Sequence, residues 1–370
     1  MSDVPFTKPE DELAAEFFST TIAQLSGAGM PERLLEEEEK LPPFPDEPWR
    51  AAAESGWFRL LLPEELDGLG LGYAELGAIF RAVGHRLMRG PLLDHAVALP
   101  LIAAATSEAL RGEISAALDG ESTIVLAQPL PRPYGAGSDL TLAGAELRGT
   151  ADLVSFGAAA DSFVVVADRD GETVLLLVSA SAAEVRERGS HDPTVELATV
   201  GFSDVEVAAD RVLLEGAAAA RTLAMVHGAQ RLMAVAELSG AVEEMTAMAV
   251  SYAGERVQFE RPIAGFQALR HILAEMTGKA STLLSLSDAA LWDADADRER
   301  VPELGRLAKA FSAEPSRFVA EQALQVYGGV GFTHEVPLHL FMRRALSLQG
   351  FLGEDADLFT EIGSAVLEAV

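Results

Sequence analysis

The stretch ALQVYGGVG, from Ala323 to Gly331, places three glycines within four residues directly after an apolar helical run. Gly328, Gly329 and Gly331 allow a backbone approach that no residue with a side chain would permit. Such a loop suits contact with a phosphate or with a flat cofactor ring. The alternative is that the loop only caps a helix and turns the chain.

A second segment, RVQFERPIAGFQALRHILAEM from Arg256 to Met276, lies upstream of the glycine loop. Together the two segments resemble the C-terminal domain of the acyl-CoA dehydrogenases. In that family Arg-x-x-Phe, Pro-Ile, Phe-Gln and Gln-Val-x-Gly-Gly-x-Gly occur in this order and at about this separation. The matching residues here are Arg256, Phe259, Pro262, Ile263, Phe266, Gln267, Gln325, Val326, Gly328, Gly329 and Gly331. The combination is far more specific than any one motif.

The resemblance implies an FAD site. In the family, the flavin half of FAD lies on the β domain of one subunit, and the C-terminal domain of the neighbouring subunit holds the adenine and pyrophosphate half. The guanidinium of Arg256 would pair with the pyrophosphate, and the glycine loop would allow backbone contact with the adenosine side. The cofactor-binding residues implied in this way are Arg256, Gln258, Phe259, Phe266, Gln267, Gln325, Val326, Gly328 and Gly329. Without the family pattern, Arg256 is simply an exposed residue at a helix end, and the glutamines are solvated amides.

Composition and charge narrow the classes of protein. The chain has 370 residues, enough for two or three domains, and it has no cysteine, which excludes disulfides and thiolate chemistry. Its formal net charge of −29 would repel nucleic acid, so no such partner is expected. His334 and His339 lack the spacing of metal ligands, and no metal is expected. No apolar run is long enough to span a bilayer and no signal peptide is evident, so we expect a cytoplasmic protein.

The hydrophobic pattern predicts an α+β protein with three domains. Residues 1–120 show helical spacing, residues 121–214 contain β-branched and apolar runs with hairpin signals, and residues 215–370 return to helical spacing. These parts predict an N-terminal helical domain, a small antiparallel β domain and a C-terminal four-helix bundle. The same order is found in the acyl-CoA dehydrogenase fold. No catalytic residue is expected in the first domain, because no cluster of titratable residues is evident there.

The flavin-contacting residues of the family are largely missing from the middle domain. The family's Thr-Glu-Pro appears here as Ala127–Pro129. Its Gly-x-Lys-x-Trp-Ile-Thr-Asn, whose Trp and Thr hold the flavin ring, aligns from Gly149 without a gap. The Lys, Trp and Thr positions are Ala151, Leu153 and Ser155. The resemblance therefore implies that the chain's own flavin site is degraded.

The catalytic base of the family has no obvious equivalent in this sequence. Acyl-CoA dehydrogenation removes a Cα proton and passes a hydride from Cβ to the flavin, so it needs a carboxylate that faces the flavin across the acyl chain. The family places this Glu in one of two positions, which correspond here to Leu352 and Gln230, and neither side chain is a base at neutral pH. Glu237 lies two helical turns from Gln230, roughly 10 Å away, and is too distant to replace it. Glu354, two residues after Leu352, is a less favoured candidate for a substitute base.

The chain retains the C-terminal FAD motifs of the family but lacks its flavin-contacting residues and its base. This combination predicts a subunit that is not a complete enzyme. Actinobacterial family members that act on bulky steroid or related acyl thioesters are often α2β2 tetramers of two different chains, and this chain resembles their non-catalytic subunit. The expected function is α,β-dehydrogenation of an acyl-CoA, with FAD shared with a second acyl-CoA dehydrogenase-like subunit that supplies the Glu. An electron-transfer flavoprotein or a similar protein would accept the electrons. A self-sufficient homotetramer with a displaced base and a cofactor-free scaffold remain open as alternatives.

Overall fold

The computed structural model of the chain describes residues 12–27, 31–36, 44, 46–128 and 139–368. The first part is helical, and its helices are α1 (Glu12–Gly27), α2 (Glu32–Glu36), α3 (Glu47–Glu54), α4 (Tyr73–Arg86), α5 (Leu99–Ala105) and α6 (Glu108–Leu118). Asp46 caps α3 by accepting a hydrogen bond from Trp49 N at 3.3 Å. A π-helical turn, Leu93–Ala98, leads directly into α5. Within the described residues, no helix is both long enough and apolar enough to cross a membrane.

The middle part is a β domain, as predicted, but its sheet is mixed and not wholly antiparallel. Its strands are β1 (Ile124–Ala127), β2 (Leu140–Ala143), β3 (Glu146–Ser155), β4 (Ser162–Arg169), β5 (Glu172–Ser179), β6 (Glu184–Arg188), β7 (Leu197–Glu206) and β8 (Val212–Glu215). They follow the order β6-β7-β3-β2-β4-β5-β8, and β1 pairs with β4. The pairs β1–β4 and β2–β4 are parallel. For β2 and β4 the reason is that the chain reverses twice between them, once in the β2–β3 hairpin and once after β3.

The last part is the predicted helical bundle, and α7 is its longest helix. Its helices are α7 (Gly216–Glu255), α8 (Gln267–Ala296), α9 (Val301–Tyr327), α10 (Leu338–Gly350) and α11 (Asp355–Glu368). The carboxylate of Asp295, in the last turn of α8, accepts hydrogen bonds from Tyr73 N at 2.6 Å and Ala74 N at 2.9 Å. The bundle therefore caps α4 of the first part.

Helices α4 and α7 approach each other so closely that their backbones touch. A Cβ atom on Gly84 would lie 1.9 Å from Glu237 O, and one on Gly240 would lie 1.9 Å from Arg81 O. Glycine at both positions removes the atoms that would otherwise separate the helices. Beside this contact, Arg81 donates to both carboxylate oxygens of Glu243 at 2.6 and 2.7 Å. The packing fixes α7, which carries Gln230 and Glu237, against the first part of the chain.

Candidate active site

A central cavity of about 470 Å³ lies where the three parts of the chain meet. The segment after α4, strands β1 and β3, helix α7 and the α10–α11 loop all contribute to its wall. Its lining includes Asp94, Gln128, Leu153, Gln230, Leu352 and Glu354. The structure thus brings together both expected base positions, the weak substitute base and part of the expected flavin wall. Gln128 belongs to the Ala127–Pro129 motif, of which Pro129 lies outside the described residues.

Neither expected base position carries an ionisable side chain, and the structure shows what each one does. Gln230 is buried, and its Nε2 donates to Leu93 O at 3.0 Å and to Asp94 Oδ1 at 3.1 Å. Leu352 has a left-handed backbone conformation, with a φ of 53°. Its carbonyl oxygen accepts hydrogen bonds from Arg231 Nε at 3.0 Å and Nη2 at 2.8 Å. Both positions therefore hold the cavity wall in place.

The loop that carries Leu352 and Glu354 is fixed from a second side by Lys309. The ammonium group of this buried lysine donates to Gln349 O at 2.6 Å and to Gly353 O at 3.3 Å. Burial lowers the pKa of Lys309 to about 8. Glu354 is exposed at the rim of the central cavity. The Glu354 carboxylate is therefore in contact with solvent, whereas the base that removes the Cα proton must face an acyl chain from which water is excluded.

Glu237 also lines the central cavity, but it belongs to a buried ion cluster. Its Oε1 accepts a hydrogen bond from Arg344 Nη1 at 2.6 Å, and Arg344 Nε donates to Asp192 Oδ2 at 2.8 Å. Arg344 Nε also donates to Thr194 Oγ1 at 3.0 Å. Burial raises the pKa of Glu237, and Arg344 acts in the opposite direction. The buried guanidinium holds this carboxylate in the ion cluster, which gives Glu237 a structural role.

Asp94 is a cavity residue that the sequence did not indicate. Its side chain is 9% exposed, and its Oδ2 accepts a hydrogen bond from Leu126 N at 3.3 Å. Burial raises the pKa of Asp94 to about 7, against the two hydrogen bonds that it accepts. No catalytic residue was expected in this part of the chain. A lone acidic residue inside the apolar run LLDHAVALPLI was the only signal that could have identified it.

Two histidines near the cavity are neutral at physiological pH. His227 Nε2 lies 2.7 Å from Gln128 Oε1, and burial lowers the pKa of His227 to about 4, with Arg231 adding to the effect. The neutral ring therefore donates from Nε2 to the amide oxygen. Burial also lowers the pKa of His95, to about 3. Its Nε2 accepts a hydrogen bond from Ile124 N at 3.1 Å, so the proton lies on Nδ1, which donates to Ala117 O at 3.1 Å.

The expected flavin wall has no aromatic side chain at the three matched positions. Leu153, at the family's Trp position, is 48% exposed, and its φ is 56°. The pairing of β3 with β7 shifts register between Ala151 and Val154, which accounts for this local backbone change. Ala151, at the Lys position, is buried, and Ser155 is the one hydroxyl of the matched positions. The wall therefore offers an exposed aliphatic side chain where the family has an aromatic ring.

The expected FAD-binding residues of the first motif lie at the surface where α7 ends. Arg256 follows the last residue of α7 and is exposed. Val257–Gln258 pairs with Arg261–Pro262 in a short hairpin, and Phe259 at its tip is 86% exposed. The half-buried Phe266 and the exposed Gln267 follow at the start of α8.

The glycine motif lies beside this hairpin because α7 and α9 end together. Tyr252 of α7 stacks on Tyr327 of α9 with ring centroids 4.2 Å apart. Gly328 follows with a φ of 62°, and a Cβ atom at Gly328 or Gly329 would meet no atom within 4 Å. Gln325 is exposed, whereas the side chain of Val326 is buried in the bundle. We call Arg256, Gln258, Phe259, Gln267, Gln325, Gly328 and Gly329 the cofactor surface.

The cofactor surface lies at the C-terminal end of α7, whereas the central cavity lies alongside residues 227–237 of the same helix. Gln230 and Arg256 are separated by 26 residues, which at a rise of 1.5 Å per residue is about 39 Å along the helix. The open glycine turn and the exposed arginine and aromatic ring suit the adenine and pyrophosphate part of a dinucleotide. The residues of this surface are suited to hold the adenine half of FAD, whereas the wall at Leu153 offers no aromatic ring to a flavin. Within the described residues, no group of three or more acidic, histidine or cysteine side chains could hold a metal ion.

Comparisons with known proteins cover nearly the whole chain. The family models for the N-terminal and C-terminal domains of acyl-CoA dehydrogenase match residues 14–118 and 215–367. The chain is 30% identical to acyl-CoA dehydrogenase FadE27 of Mycobacterium tuberculosis over 349 residues, 88% of this chain and 89% of that protein. It is 27% identical to acyl-CoA dehydrogenase IpdE2 of the same organism, covering 98% and 99% of the two chains.

Among solved structures, the chain is similar to a chain of the ChsE4-ChsE5 complex from Mycobacterium tuberculosis. The TM-score is 0.86 at 26% identity, with 99% of each chain covered. The matched domains, the helical–β–helical order and the two motifs at the end of α7 and α9 all agree. Members of the family are FAD-dependent oxidoreductases. The chain belongs to the acyl-CoA dehydrogenase family.

Proposed function

We propose that this chain is a subunit of an FAD-dependent acyl-CoA dehydrogenase that shares its FAD with a second, base-bearing subunit. One observation carries the proposal. The cofactor surface is exposed, and Arg256 lies about 39 Å along α7 from Gln230, which with Leu352 occupies the usual base positions in the central cavity. A cofactor bound at this surface would serve the active site of a neighbouring subunit.

Each part of the cofactor surface has a physical role in this proposal. The guanidinium of Arg256 pairs with the pyrophosphate in charge-assisted hydrogen bonds. Gly328 and Gly329 admit backbone contact with the adenosine side, because no side chain occupies the space above them. Phe259, which is almost fully exposed, becomes covered when the cofactor and the second subunit bind. When bound, FAD accepts the hydride that leaves Cβ of the acyl group.

Similarity to a chain of the ChsE4-ChsE5 complex supports a partner of the same family, because that structure holds two different chains. We propose an α2β2 assembly in which the second subunit supplies the catalytic Glu and the flavin wall. The substrate is an acyl-CoA with a bulky acyl group, and the electrons pass to an electron-transfer flavoprotein or a similar acceptor.

The test is the FAD content of the chain alone and of its complex with a base-bearing acyl-CoA dehydrogenase chain from the same organism. We expect a colourless single chain and a yellow complex. Arg256→Ala removes a charge-assisted interaction worth about 1.5–3 kcal/mol, so FAD affinity should fall about tenfold to a hundredfold. Arg300→Ala is the matched control, because this exposed arginine lies on the same bundle in the turn between α8 and α9, at the opposite end.

Three outcomes would contradict the proposal. Undiminished FAD in the Arg256→Ala complex would show that the surface does not hold the cofactor and would favour a scaffolding role. Equal loss in the Arg300→Ala complex would indicate a general effect on folding. A chain that is yellow by itself and is bleached by an acyl-CoA would be a self-sufficient enzyme with a displaced base.

A further inference from the structure

A carboxyl group lies where the family's base would act, although a different element carries it. Asp94 Oδ1 is 3.1 Å from Gln230 Nε2, the end of the side chain at one expected base position. A Glu at position 230 would reach as far as this Gln does, so its carboxylate would lie within hydrogen-bond distance of Asp94. The N-terminal part of the chain thus brings to the central cavity the carboxyl group that α7 lacks.

The backbone that holds Asp94 is unusual. Asp94 is the second residue of the π-helical turn Leu93–Ala98, and such turns are rare and frequently found at functional sites. Leu126 N donates to its Oδ2, and Gln230 donates to its Oδ1. The next residue, His95, is anchored to Ala117 O and Ile124 N. The carboxyl group is therefore held in one orientation at the cavity wall.

In the described part of the chain, the charged groups that line the cavity leave Asp94 without a counterion. The titratable and charged residues that line the cavity with it are Asp152, His227, Arg231, Glu237, Arg344, Glu354 and Asp357. Glu237 and Arg344 pair with each other, His227 is neutral, and Arg231 binds Leu352 O. Among the described residues, no basic side chain forms an ion pair with Asp94. Its pKa of about 7 leaves it partly ionised at neutral pH, which is the favourable range for a general base.

The cavity wall also presents a polar atom that suits a ligand. Gln230 Oε1 is buried and has no hydrogen-bond partner among the described residues. A buried oxygen in this state favours a ligand that offers an N–H group. The pantetheine arm of coenzyme A carries amide N–H groups, and the rest of the wall is largely apolar, with Leu92, Leu93, Leu126 and Phe156 in its lining.

We infer that Asp94 is the acid–base residue for an acyl-CoA bound in this chain's own cavity. The Asp94 carboxylate takes the Cα proton of the thioester, and the electron pair of the C–H bond moves onto the carbonyl to give an enolate. A proton from solvent then returns through the same carboxyl group to Cα, so the exchange balances without an oxidant. Arg231 supplies a positive charge in the same cavity, which favours the enolate. This inference goes beyond the proposed function, since the exchange requires neither FAD nor the partner subunit.

The test is deuterium exchange at Cα of octanoyl-CoA, incubated with the full chain in deuterium oxide and followed by mass spectrometry. The exchange rate should rise with pH and level off above about pH 7, as Asp94 ionises. Asp94→Asn should lower the rate at pH 8 at least a hundredfold, the usual range for general acid–base catalysis. Asp94→Glu should restore part of it, because it retains a carboxyl group. Asp210→Asn, which changes an exposed aspartate of the β domain, should have no effect.

The outcomes distinguish exchange by Asp94 from exchange by Glu354 and from exchange in the buffer. The pH profile of the wild type tests the inference without any variant. A wild-type exchange rate equal to that of the buffer alone would overturn the inference. A rate that does not level off near pH 7 would overturn it as well. Loss of exchange in Glu354→Gln, with Asp94→Asn unaffected, would transfer the role to Glu354. The circular dichroism spectrum and melting temperature of Asp94→Asn show whether the variant is folded. Neither result alters the FAD measurement on Arg256, so a failure of one proposal is distinguishable from a failure of the other.

Discussion

Replacement of Arg344 by Met should destabilise the protein strongly, because this guanidinium joins three parts of the chain. Arg344 on α10 is 6% exposed and binds Glu237 on α7 and both Asp192 and Thr194 before β7. Its Nη2 also donates to Met88 O at 3.4 Å, after α4. The methionine side chain fills a similar space but leaves two buried carboxylates without a cation.

The size of the effect follows from the burial of this cluster. Removal of one partner from a buried ion pair typically costs about 3–5 kcal/mol. An unfolding entropy of about 2.1 cal/mol per kelvin per residue gives about 0.8 kcal/mol per kelvin for 370 residues. The melting temperature of Arg344→Met should therefore fall by about 4–6 °C at pH 7.5. The loss should shrink at pH 5, because burial raises the pKa of Glu237 and protonation of this carboxylate removes an uncompensated charge.

The assay is the melting temperature by scanning calorimetry at both pH values, with Arg148→Met as the matched control. Arg148 also lies beside two acidic residues, Glu146 and Asp204, but it is 55% exposed, so its loss should lower the melting temperature by about 1 °C or less. The double change Arg344→Met with Glu237→Gln should recover part of the loss. Equal effects of the two single variants, or a deficit that is the same at pH 5 and pH 7.5, would refute the reasoning.

Two further predictions concern the ionisation of Asp94 and the contact between α4 and α7. Because burial raises the pKa of Asp94 to about 7 in the folded protein, its contribution to stability is lost as pH rises through about 7. The free energy of unfolding of Asp94→Asn, relative to that of the wild type, should therefore increase by about 2–3 kcal/mol between pH 5 and pH 8. Melting curves at both pH values check this, and a constant difference would contradict it. Gly240→Ala should destabilise by about 1–3 kcal/mol, because its Cβ would meet Arg81 O, whereas Gly278→Ala, with open space around it on α8, should be neutral or stabilising.

The sequence predicted the parts of the site that depend on local motifs. The glycine turn and Arg256 were predicted from a motif order, and the structure places both at one end of the bundle because Tyr252 stacks on Tyr327. That these residues bind FAD remains a prediction. Leu352 and Gln230 were predicted from family spacing, and both line the central cavity.

The rest depended on contacts between distant segments. Asp94 has no motif around it, and its carboxyl group becomes a cavity residue only because the π-helical turn meets β1 and α7. Glu237 was excluded as a base on distance, but its actual restraint is Arg344, a residue 107 positions away in the sequence. The parallel pairs of the sheet were missed for a similar reason, since strand alternation does not reveal which strands become neighbours.

The separation of Arg256 and Gln230 along α7 offers a way to test both proposals in one set of variants. Arg256 and Asp94 share no partner among the described residues, and about 39 Å of helix separates Arg256 from Gln230, the residue that contacts Asp94. Changes at sites this far apart are normally independent. Arg256→Ala should therefore lower the FAD content of the complex without altering Cα exchange by the chain alone, and Asp94→Asn should do the reverse. If either variant changed both quantities while its melting temperature stayed the same, the cavity and the cofactor surface would be coupled, and the two proposals would not describe independent sites.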